Sequence, residues 1–523
     1  MLSTIKQEIE KALKNIGAEK TEIHLQENKP KFGDFGFFAK RKSANSGFVN
    51  LSEGESKKLV EKLSQSSIFG KVEEKNSFIN LWLSSEWLST QLQTVIGQGN
   101  NFGKSDAGAD TQVLLEFVSA NPTGPLTIGN GRGAFVGDAL SKVFKVYGCQ
   151  VENEYYVNDT GSQIENLGKT ILGEAQLYRG AYIEELKKQI DISGKNAMEV
   201  GKEAVVLIMG QIKKSLQRCG IEFKQFFFEQ TLYDSKETEV ALKILQENNL
   251  AYEKEGAIWF ASSEFGDDKD RVLIRKNGQP TYFFSDIAYH YHKIKRGYDL
   301  LVDIWGADHF GYKKRLEVAV DEALKPQLNW SGELKILISQ FIRLIEDGKE
   351  VKISKRAGTF VTLDELVDEV GIDAARFFFL QHSLNTHMDF DLSLAKERSQ
   401  KNPVYYVQYA AARCASILRK SQFPISNFQN LKLLKEPAEM KLIKKILQLP
   451  DIISEIIEDY NTQRLPRYAL EIADAFHNFY EHCRVLDEKN PALSSARLSL
   501  IHATQIVLKN TLDLMGISAP EKM

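Results

Sequence analysis

The sequence has few cysteines and no long apolar run, and each absence excludes a class of protein. The four cysteines lie far apart and form no C-x-x-C pair; they are Cys149, Cys219, Cys414 and Cys483. Such spacing fits a reducing compartment and provides neither a disulfide framework nor a structural zinc site. No apolar run approaches the ~20 residues needed to span a bilayer. We therefore expect a cytoplasmic protein that has no membrane partner, structural zinc or prosthetic group.

A strong charge of one sign is missing as well. The formal net charge of the 523 residues is -3, which argues against a globally basic nucleic-acid binder but leaves local basic patches open. Hydrophobic residues make up 43% and charged residues 26% of the chain, which is typical of a soluble globular protein with several cores. We find no tandem repeat and no low-complexity tract, and the length predicts roughly three or four domains.

Residues 1–100 are predicted to form a small α/β module followed by a linker. The stretch "MLSTIKQEIEKALKNIG" has apolar residues at helical spacing interrupted by charges, which indicates an amphipathic helix rather than a signal sequence. A glycine turn at 33–36 and the strand-like "SFINLWL" follow. The stretch "GQGNNFGKSDAGAD" is rich in Gly, Asn and Asp, which is typical of a linker.

A strand, a glycine-rich turn, a helix and a second strand come next. They are "TQVLLEFVS", "ANPTGPLTIGN", "GRGAFVGDALSKVFKVYG", with its end at Gly148, and "QVENEYYVND". This order is that of a βαβ unit, so it predicts a parallel sheet with crossover helices. Ligands of such sheets bind at the carboxyl ends of the strands.

The remainder of the chain alternates between predicted helices and strands before it becomes almost wholly helical. A charged helical stretch at 165–215 has the character of an insertion, which we place near 165–280. Strand-like pieces return at "GAIWF", "RVLIR" and "TYFFSD", and "LLVDIWGADHFG" is predicted to be a strand that leads into a glycine turn. From about residue 400 the pattern is almost wholly helical. The predicted domains are 1–100, 101–395 and 396–523.

The turn "GPLTIGN" at 124–130 is the first candidate for chemistry. Its glycines let the backbone approach a phosphate, and the following helix directs free N–H groups and its positive dipole end to the same place. Thr127 and Asn130 add neutral donors at two positions where a well-known phosphate-binding turn carries histidines. A tight strand-to-helix connection with ordinary capping explains the turn equally well.

The second candidate is the basic stretch "GKEVKISKRAGTF" at 348–360. Lys352, Lys355 and Arg356 surround Ser354, and Glu350 is the one acid among them. A cationic loop suits the charge that develops on a triphosphate in its transition state. A solvated basic loop is the alternative explanation. The presence of both elements in one chain, in this order, favours nucleotide activation.

The two stretches resemble the HIGH and KMSKS signatures of class I aminoacyl-tRNA synthetases. Longer blocks resemble arginyl-tRNA synthetases in particular, among them "EFVSANPTGPLTIGNGRGAFVGDAL", "YYVNDTGSQI", "WGADHFGY", "GIDAARFFFL" and "NPVYYVQYAAAR". The resemblance covers nearly the whole chain. It implies a Rossmann-like α/β catalytic domain with the KMSKS-like loop at 348–360, an N-terminal tRNA-binding module that contacts the D-loop, and an all-α anticodon-binding domain.

The resemblance also implies a reaction and the residues that carry it. Arginine would be activated by ATP, bound with Mg²⁺ as the substrate complex, and then transferred to the terminal adenosine of arginine tRNA. The implied catalytic residues are Thr127, Gly129, Asn130, Lys352, Ser354 and Lys355. The implied ATP-binding residues are Pro122, Gly124, Gly306, Asp308 and His309.

Arginine and tRNA contacts follow from the same matches. We expect Asp286 to bind the guanidinium, with Glu116 and Asn121 nearer the α-amino group; Tyr282 completes the set. For tRNA the resemblance implies Phe78 and Asn80 at the D-loop, and Tyr406, Tyr409, Tyr480 and the C-terminal Met523 around an anticodon base. The competing explanations are capping residues at strand ends and aromatic residues of a helical core.

Three functions therefore remain open. The first is an active arginine–tRNA ligase that works as a monomer on arginine, ATP and arginine tRNA. The second is a catalytically inactive relative that binds RNA, for which the altered HIGH signature is the only support. The third is a nucleotidyltransferase that acts on a small molecule; the predicted anticodon-like domain argues against it.

Overall fold

A computed structural model describes residues 1–18, 21–42, 48–351, 362–423 and 428–523. The N-terminal module is an antiparallel sheet flanked by helices. Its elements are α1 (Leu2–Asn15), β1 (Thr21–Ile23), β2 (Gln26–Glu27), β3 (Phe35–Lys42), β4 (Phe48–Asn50), α2 (Glu53–Ser64), β5 (Phe69–Lys75), β6 (Phe78–Leu83) and α3 (Ser85–Gln98). The strand order is β1-β3-β6-β5, and β2 and β4 also pair with β3. The predicted amphipathic helix is α1, which buries Ile5, Ile9 and Leu13.

The predicted linker after α3 is packed against another part of the molecule. The side-chain amide of Asn510 donates to the carbonyls of Gly99 and Phe102 at 3.1 and 3.0 Å. Asn510 lies near the other end of the chain, so a sequence pattern that reports only local composition gives no sign of this contact. The Gly/Asn-rich stretch therefore joins two modules by fixed hydrogen bonds.

The central domain begins with the expected strand, turn, helix and strand. Its first elements are β7 (Gln112–Glu116), α4 (Ile128–Tyr147), β8 (Gln150–Val157), α5 (Ser162–Leu172), α6 (Ala181–Gln189) and α7 (Ala197–Arg218). Helix α4 ends at Gly148, whose φ of 107° is the left-handed conformation that glycine adopts without strain. Helices α5 to α7 occupy the stretch predicted to be inserted.

The second half of the domain adds the other strands of the sheet. The elements up to residue 306 are β9 (Gln225–Phe228), α8 (Gln230–Asp234), α9 (Glu237–Glu247), β10 (Ala251–Lys254), β11 (Ala257–Phe260), β12 (Arg271–Ile274), α10 (Tyr282–Lys295) and β13 (Leu300–Gly306). Those that follow are α11 (Phe310–Ala319), α12 (Lys325–Leu328), β14 (Glu333–Ser339), β15 (Ile342–Glu346), β16 (Lys349–Val351), α13 (Leu363–Val370), α14 (Ile372–Leu380), β17 (Met388–Asp391) and α15 (Leu392–Lys396).

The main sheet is parallel, and its strand order defines where a ligand binds. Strands β14-β13-β7-β8-β9 are neighbours in that order, and each adjacent pair is parallel. The chain runs outward from β7 to β9 and then returns to the other side of β7. The carboxyl ends of β7 and β13 therefore form the topological switch point, where open α/β sheets bind ligands.

One predicted strand is wrong. The stretch "TYFFSD" forms the start of helix α10, with Thr281 as its N-cap and the Thr281 hydroxyl oxygen accepting from the Phe284 N–H. Phe283, Phe284 and Ile287 are buried at helical spacing. Aromatic residues favour strands on average, but the cap and the buried face decide the conformation here.

The last part of the chain is helical, as predicted. Its helices are α16 (Pro403–Lys420), α17 (Pro437–Ile446), α18 (Leu449–Asp459), α19 (Arg464–His482) and α20 (Pro491–Met515). Helix α20 packs against α16, α19 and α3. Within the described part of the chain, no helix combines the length and apolar character needed to cross a bilayer. The predicted α/β fold class with a helical C-terminal domain is confirmed.

Candidate active site

The turn before α4 is held by a reciprocal cap between two predicted site residues. The amide oxygen of Asn130 accepts from both the backbone N–H and the hydroxyl of Thr127, each at 2.9 Å. A backbone N–H can only donate, so the amide oxygen faces Thr127 and the amide NH₂ points the other way. Asn130 is therefore the side-chain donor available to a phosphate, while the Thr127 proton is already used.

The glycines of this region divide into two groups. A methyl group on Gly129 would meet only the Thr127 hydroxyl, at 3.5 Å, so the space above the helix end is open. A methyl group on Gly131 would lie 2.8 Å from Leu363, which shows that Gly131 faces packed side chains. The helix end, rather than the whole glycine run, is what a phosphate can approach.

The chain that follows the lysine-rich segment lies beside this turn. Lys352, Ser354 and Lys355 lie outside the described residues, so their predicted roles stay predictions. Strand β16 ends at Val351, and Thr362 on the far side forms an isolated β-bridge with Thr127. The Leu363 N–H also donates to the Leu126 carbonyl at 2.9 Å. These bonds fix Thr362 and Leu363, which follow the segment, to the turn before α4.

The chain after β7 turns through strained backbone. Val118 and Ser119 have φ values of 71° and 37°, a region that is rare for residues with a side chain and especially for a β-branched one. The Ser119 hydroxyl donates to Glu116 at 2.8 Å and accepts from the Tyr156 N–H at 3.1 Å. These two bonds hold the turn at the switch point.

A buried ionic network lies below that turn. The Lys293 ammonium contacts Glu116 at 2.5 Å and both oxygens of Asp303 at 2.8 and 2.9 Å. Although burial acts to raise it, Lys293 and then His290 hold the pKa of Asp303 at about 2. Burial raises the pKa of the Glu116 carboxyl, and the ammonium of Lys293 opposes that effect. Glu116 therefore already has a cationic partner, Lys293, in the protein itself.

Asp286 forms no ion pair among the described residues. It lies on α10 one turn after Tyr282, whose ring is 53% exposed at the mouth of the site. Burial raises the pKa of the Asp286 carboxyl well above its ordinary value of 3.8, and Glu116 and Glu229 raise it further. Lys293 opposes this rise only through a weaker charge effect. A cation bound next to Asp286 would relieve this repulsion.

Glu229 completes the anionic pocket, and the sequence analysis missed it. It directly follows β9 and is 2% exposed; its Oε1 accepts from Ser285 at 2.8 Å and from Tyr233 at 3.1 Å. Its other oxygen, Oε2, is buried without a partner among the described residues. The position of an acid directly after a strand of the parallel sheet is the signal that could have identified it.

Two further buried polar atoms lie near the ends of β8 and β9. The Asn158 side-chain oxygen has no partner among the described residues, whereas the Tyr156 hydroxyl lies beside Glu229; burial and then Glu229 raise the pKa of Tyr156. Asn158 and Glu229 follow Val157 and Phe228, which are register partners on adjacent strands. A buried acceptor without a partner is costly, so the Asn158 oxygen is a candidate to accept an N–H donor from a ligand.

The predicted ATP-binding residues form two groups. Gly306, Asp308 and His309 meet at the carboxyl end of β13; the imidazole Nε2 of His309 lies 3.5 Å from the Asp308 carboxylate, and both side chains are exposed. Pro122 and Gly124 precede α4, where the Tyr182 hydroxyl donates to the Thr123 carbonyl at 3.0 Å. Asn121 is exposed just before them. Both groups border the switch point.

The predicted D-loop residues differ in accessibility. Phe78 is half-buried and packs edge-on against the exposed ring of Phe38, with a centroid distance of 4.8 Å. Asn80 is only 7% exposed, and its amide oxygen accepts from Asn28 at 3.1 Å. Asn80 therefore orients Asn28 instead of facing solvent, which the sequence did not indicate.

The tyrosines predicted at the anticodon site come together on α16 and α19. Tyr406 and Tyr409 both pack against His477, with ring centroids 4.9 and 5.8 Å away, and the Tyr406 hydroxyl donates to Asp474 at 2.8 Å. Tyr480 lies under the Arg413 guanidinium, 4.7 Å from the ring centroid. Met523 is exposed.

A cavity of about 400 Å³ adjoins Tyr480. Its wall includes three cationic side chains and no acidic one; the cations are Arg413, Lys420 and Arg484. An aromatic ring beside unopposed cations suits a stacked base and its phosphate.

The described residues contain no group of three or more His, Cys, Asp or Glu side chains that could hold a metal ion. The predicted absence of a structural zinc site stays a prediction.

Comparison with known proteins identifies related chains along the whole length. The arginyl tRNA synthetase N terminal domain matches residues 3–83, and the DALR anticodon binding domain matches residues 407–523. An arginine–tRNA ligase of Carboxydothermus hydrogenoformans is 42% identical over 475 residues, which cover 85% of this chain and 84% of that protein. The arginine–tRNA ligase of Listeria welshimeri shows the same identity and coverage.

Solved structures share the fold. The arginyl-tRNA synthetase of Thermus thermophilus superposes with a TM-score of 0.77 at 21% identity and covers 100% of both chains. The Plasmodium falciparum arginyl-tRNA synthetase also gives a TM-score of 0.77, at 19% identity. The 42% identity over most of both sequences shows relationship as well as fold, and the resemblance found in the sequence is confirmed. The chain belongs to the arginyl-tRNA synthetase family.

Proposed function

We propose that the protein is an arginine–tRNA ligase. It activates L-arginine with ATP to arginyl-adenylate and transfers the arginyl group to the terminal adenosine of arginine tRNA. The observation that carries this proposal is the group of neighbouring acids Glu116, Glu229 and Asp286, at the end of the sheet that also presents the turn before α4. Family membership supports the same activity.

The anionic pocket selects arginine through its donors. A guanidinium is a planar fork of five N–H donors that binds carboxylates in pairs. Glu229 Oε2 accepts one side of the fork and Asp286 the other, and the Asn158 side-chain oxygen takes a further donor. An uncharged side chain of the same length would leave these buried acceptors without partners, which is the strongest form of discrimination available to a binding site.

The α-amino group and the nucleotide lie toward the switch point. Glu116 and Asn121 bind the α-ammonium; because Lys293 already neutralises part of the Glu116 charge, Glu116 orients the amine without trapping it. ATP places its phosphates at the N-terminus of α4, where Gly129 leaves room and the Asn130 NH₂ donates. Lys352 and Lys355 pair with the phosphates as compact charges, together with the Mg²⁺ that arrives with ATP.

The reaction consists of two displacements. The arginine carboxylate attacks the α-phosphorus, a new P–O bond forms, and pyrophosphate leaves with its electron pair. A hydroxyl of the terminal adenosine then attacks the arginyl carbonyl carbon, loses its proton, and displaces AMP. Both steps depend on alignment and charge stabilisation more than on covalent help from the protein.

The two outer modules bind the tRNA. The sheet face around Phe78 contacts the D-loop, and the α16–α19 surface around Tyr406, Tyr409 and Tyr480 contacts the anticodon. Exposed aromatic rings stack on bases of single-stranded RNA, and nearby cations bind the backbone. We further propose that the enzyme acts in the cytoplasm as a monomer.

The test is ATP–pyrophosphate exchange with each amino acid, in the presence and absence of an arginine tRNA transcript. Of the amino acids, only arginine is expected to support exchange. No exchange with any amino acid by folded protein that still binds tRNA would identify the inactive RNA-binding relative. Exchange with another small molecule, unaffected by tRNA, would identify the nucleotidyltransferase.

A further inference from the structure

Arg132 is a buried cation that has no acidic partner. It lies on α4, in the turn after Asn130, and its side chain has no exposed surface. Burial lowers the pKa of its guanidinium to about 10, and none of the described ion pairs involves it. Burying a charge without a counter-charge is unfavourable, and the positive end of the helix dipole makes it more so.

The guanidinium is instead held by three backbone carbonyls. Its Nη1 donates to Gln340 at 3.0 Å and to Thr386 at 2.8 Å, and its Nη2 donates to Ser383 at 2.7 Å. Gln340 connects β14 to β15, whereas Ser383 and Thr386 lie in the loop that precedes β17. One side chain of the phosphate-binding helix thus ties together two segments that are distant in sequence.

Both segments belong to the base of a separate small sheet. Strand β15 pairs with β17 in parallel and with β16 in antiparallel orientation. Strand β16 ends at Val351, directly before the lysine-rich segment. The three carbonyls therefore attach this sheet to α4 by hydrogen bonds, in addition to the packing of Phe379 between Phe135 of α4 and Phe390 of β17. Attachment there sets how far β16 stands from the turn before α4.

We propose that Arg132 is a positioning residue for nucleotide activation: it fixes the β15–β16 pair, as far as Val351 at the end of β16, relative to the N-terminus of α4. This inference rests on the proposed function. Arg132 itself does not touch the substrate. A displacement of about 1 Å between reacting groups lowers rates by about 100-fold, so a rigid attachment is worth its energetic cost.

The chain offers a matched control in Arg376. Arg376 is also buried, and its Nε, like that of Arg132, has no partner. It donates to the carbonyls of Met515 and Cys219 at 2.9 and 2.6 Å and to Asp138 at 2.6 Å. These contacts stabilise α14 against α4, α7 and α20 and do not involve β15, β16 or the loop before β17.

The experiment compares R132K, R132M and R376K with the wild type. Lysine keeps the charge but reaches fewer carbonyls, so both lysine variants are expected to lose stability. We expect R132K to lower kcat of arginine-dependent ATP–pyrophosphate exchange by about 10-fold and R132M by about 100-fold. Arginine affinity measured by calorimetry stays within about twofold, because its acceptors lie on other elements. R376K keeps its kcat per folded molecule.

The outcomes separate this inference from the proposed function. A wild type without exchange would refute the function and, with it, this inference. A wild type that exchanges while R132K keeps full kcat per folded molecule refutes the inference alone. Two further results refute the inference, because a merely structural arginine would produce them. In the first, R376K lowers kcat as much as R132K does. In the second, R132K lowers arginine affinity as much as it lowers kcat. R132K decides the question if R132M does not fold.

Discussion

The hydroxyl of Thr127 donates to the side-chain oxygen of Asn130 at 2.9 Å. The two residues replace the histidines of the usual signature, and this bond gives them unequal roles. The Thr127 hydroxyl donates its proton to Asn130, so toward a ligand it can only accept. The amide NH₂ of Asn130 remains as the donor. The altered signature therefore still presents a donor at the helix end, and no imidazole at these positions titrates in the working pH range.

Asn130→Asp separates capping from catalysis. An aspartate keeps both acceptor bonds to Thr127, so the fold is retained. It removes the amide donor and places a negative charge at the phosphates. We expect kcat/KM for ATP to fall by about 100-fold or more with little change in Tm. Steady-state exchange kinetics and thermal unfolding measure the two effects.

Asn196→Asp is the control for that variant. Asn196 caps α7 through the same kind of reciprocal bond, with Glu199, but lies on an exposed part of the insertion. The change adds the same charge and leaves activity intact. Normal ATP kinetics in Asn130→Asp would show that its amide does not contact the phosphates.

Glu229→Gln tests the pocket for the guanidinium. The substitution keeps the shape but replaces the charged oxygen that lacks a partner. A hydrogen bond to a charged group is worth about 1.5–3 kcal/mol, so the arginine Kd is expected to rise by about 10- to 100-fold. Isothermal calorimetry measures it directly.

Glu237→Gln is the matched control. Glu237 is also a buried acid close to α10, where it accepts from His292 at 2.9 Å, but it already has partners outside the pocket. Its substitution is expected to leave arginine affinity unchanged. Equal effects of the two substitutions would mean that neither acid contacts the ligand.

Asp286 links arginine binding to pH. Its pKa is raised above 3.8 in the folded protein, so the native state binds more protons than the unfolded state between the two values. Stability of the arginine-free protein therefore falls as pH rises through that window. Asp286→Asn is expected to raise the Tm without ligand at pH 7 and to abolish arginine binding.

The same carboxyl must lose its proton to bind a guanidinium well. Arginine affinity is thus expected to weaken as the pH falls, with protons released on binding. Calorimetry in two buffers of different ionisation enthalpy measures the release. Binding without proton release at the acidic end of the range would exclude Asp286 as the partner.

Tyr480→Ala tests the predicted anticodon contact. Stacking of a base on an aromatic ring is worth about 1–3 kcal/mol, so tRNA affinity is expected to fall by about 5- to 100-fold. Tyr480→Phe keeps the ring and loses only the 3.0 Å bond from Arg413, so it should bind nearly as well as the wild type. Filter binding with an arginine tRNA transcript measures both, and equal losses would argue against stacking.

Much of the architecture was predictable because it depends on residues that are close together in the sequence. The alternation of strand, glycine turn, helix and strand at 111–159 follows from periodicity and from Gly148 as a helix end. The helical character after residue 400 is equally local. The stretch "TYFFSD" shows the limit, since the cap at Thr281 outweighed the strand preference of its aromatic residues.

The candidate site was only partly predictable. Glu116, Asp286, Thr127 and Asn130 were predicted from their sequence context and stay predictions, whereas Glu229 was overlooked although it directly follows a strand of the parallel sheet. Its significance arises from Ser285 and Tyr233, which occupy one of its oxygens and leave the other without a partner.

The sequence by itself determined the family, the order of the elements and the residue types available for chemistry, because these depend on neighbours along the chain. Only the tertiary structure decided how those residues are used. It places Lys293 in direct contact with Glu116, gives Asp286 no ion pair among the described residues, and buries Asn80 in a hydrogen bond from Asn28. The physical reason is that charge state and accessibility depend on residues brought close in space, and 177 positions separate Lys293 from Glu116.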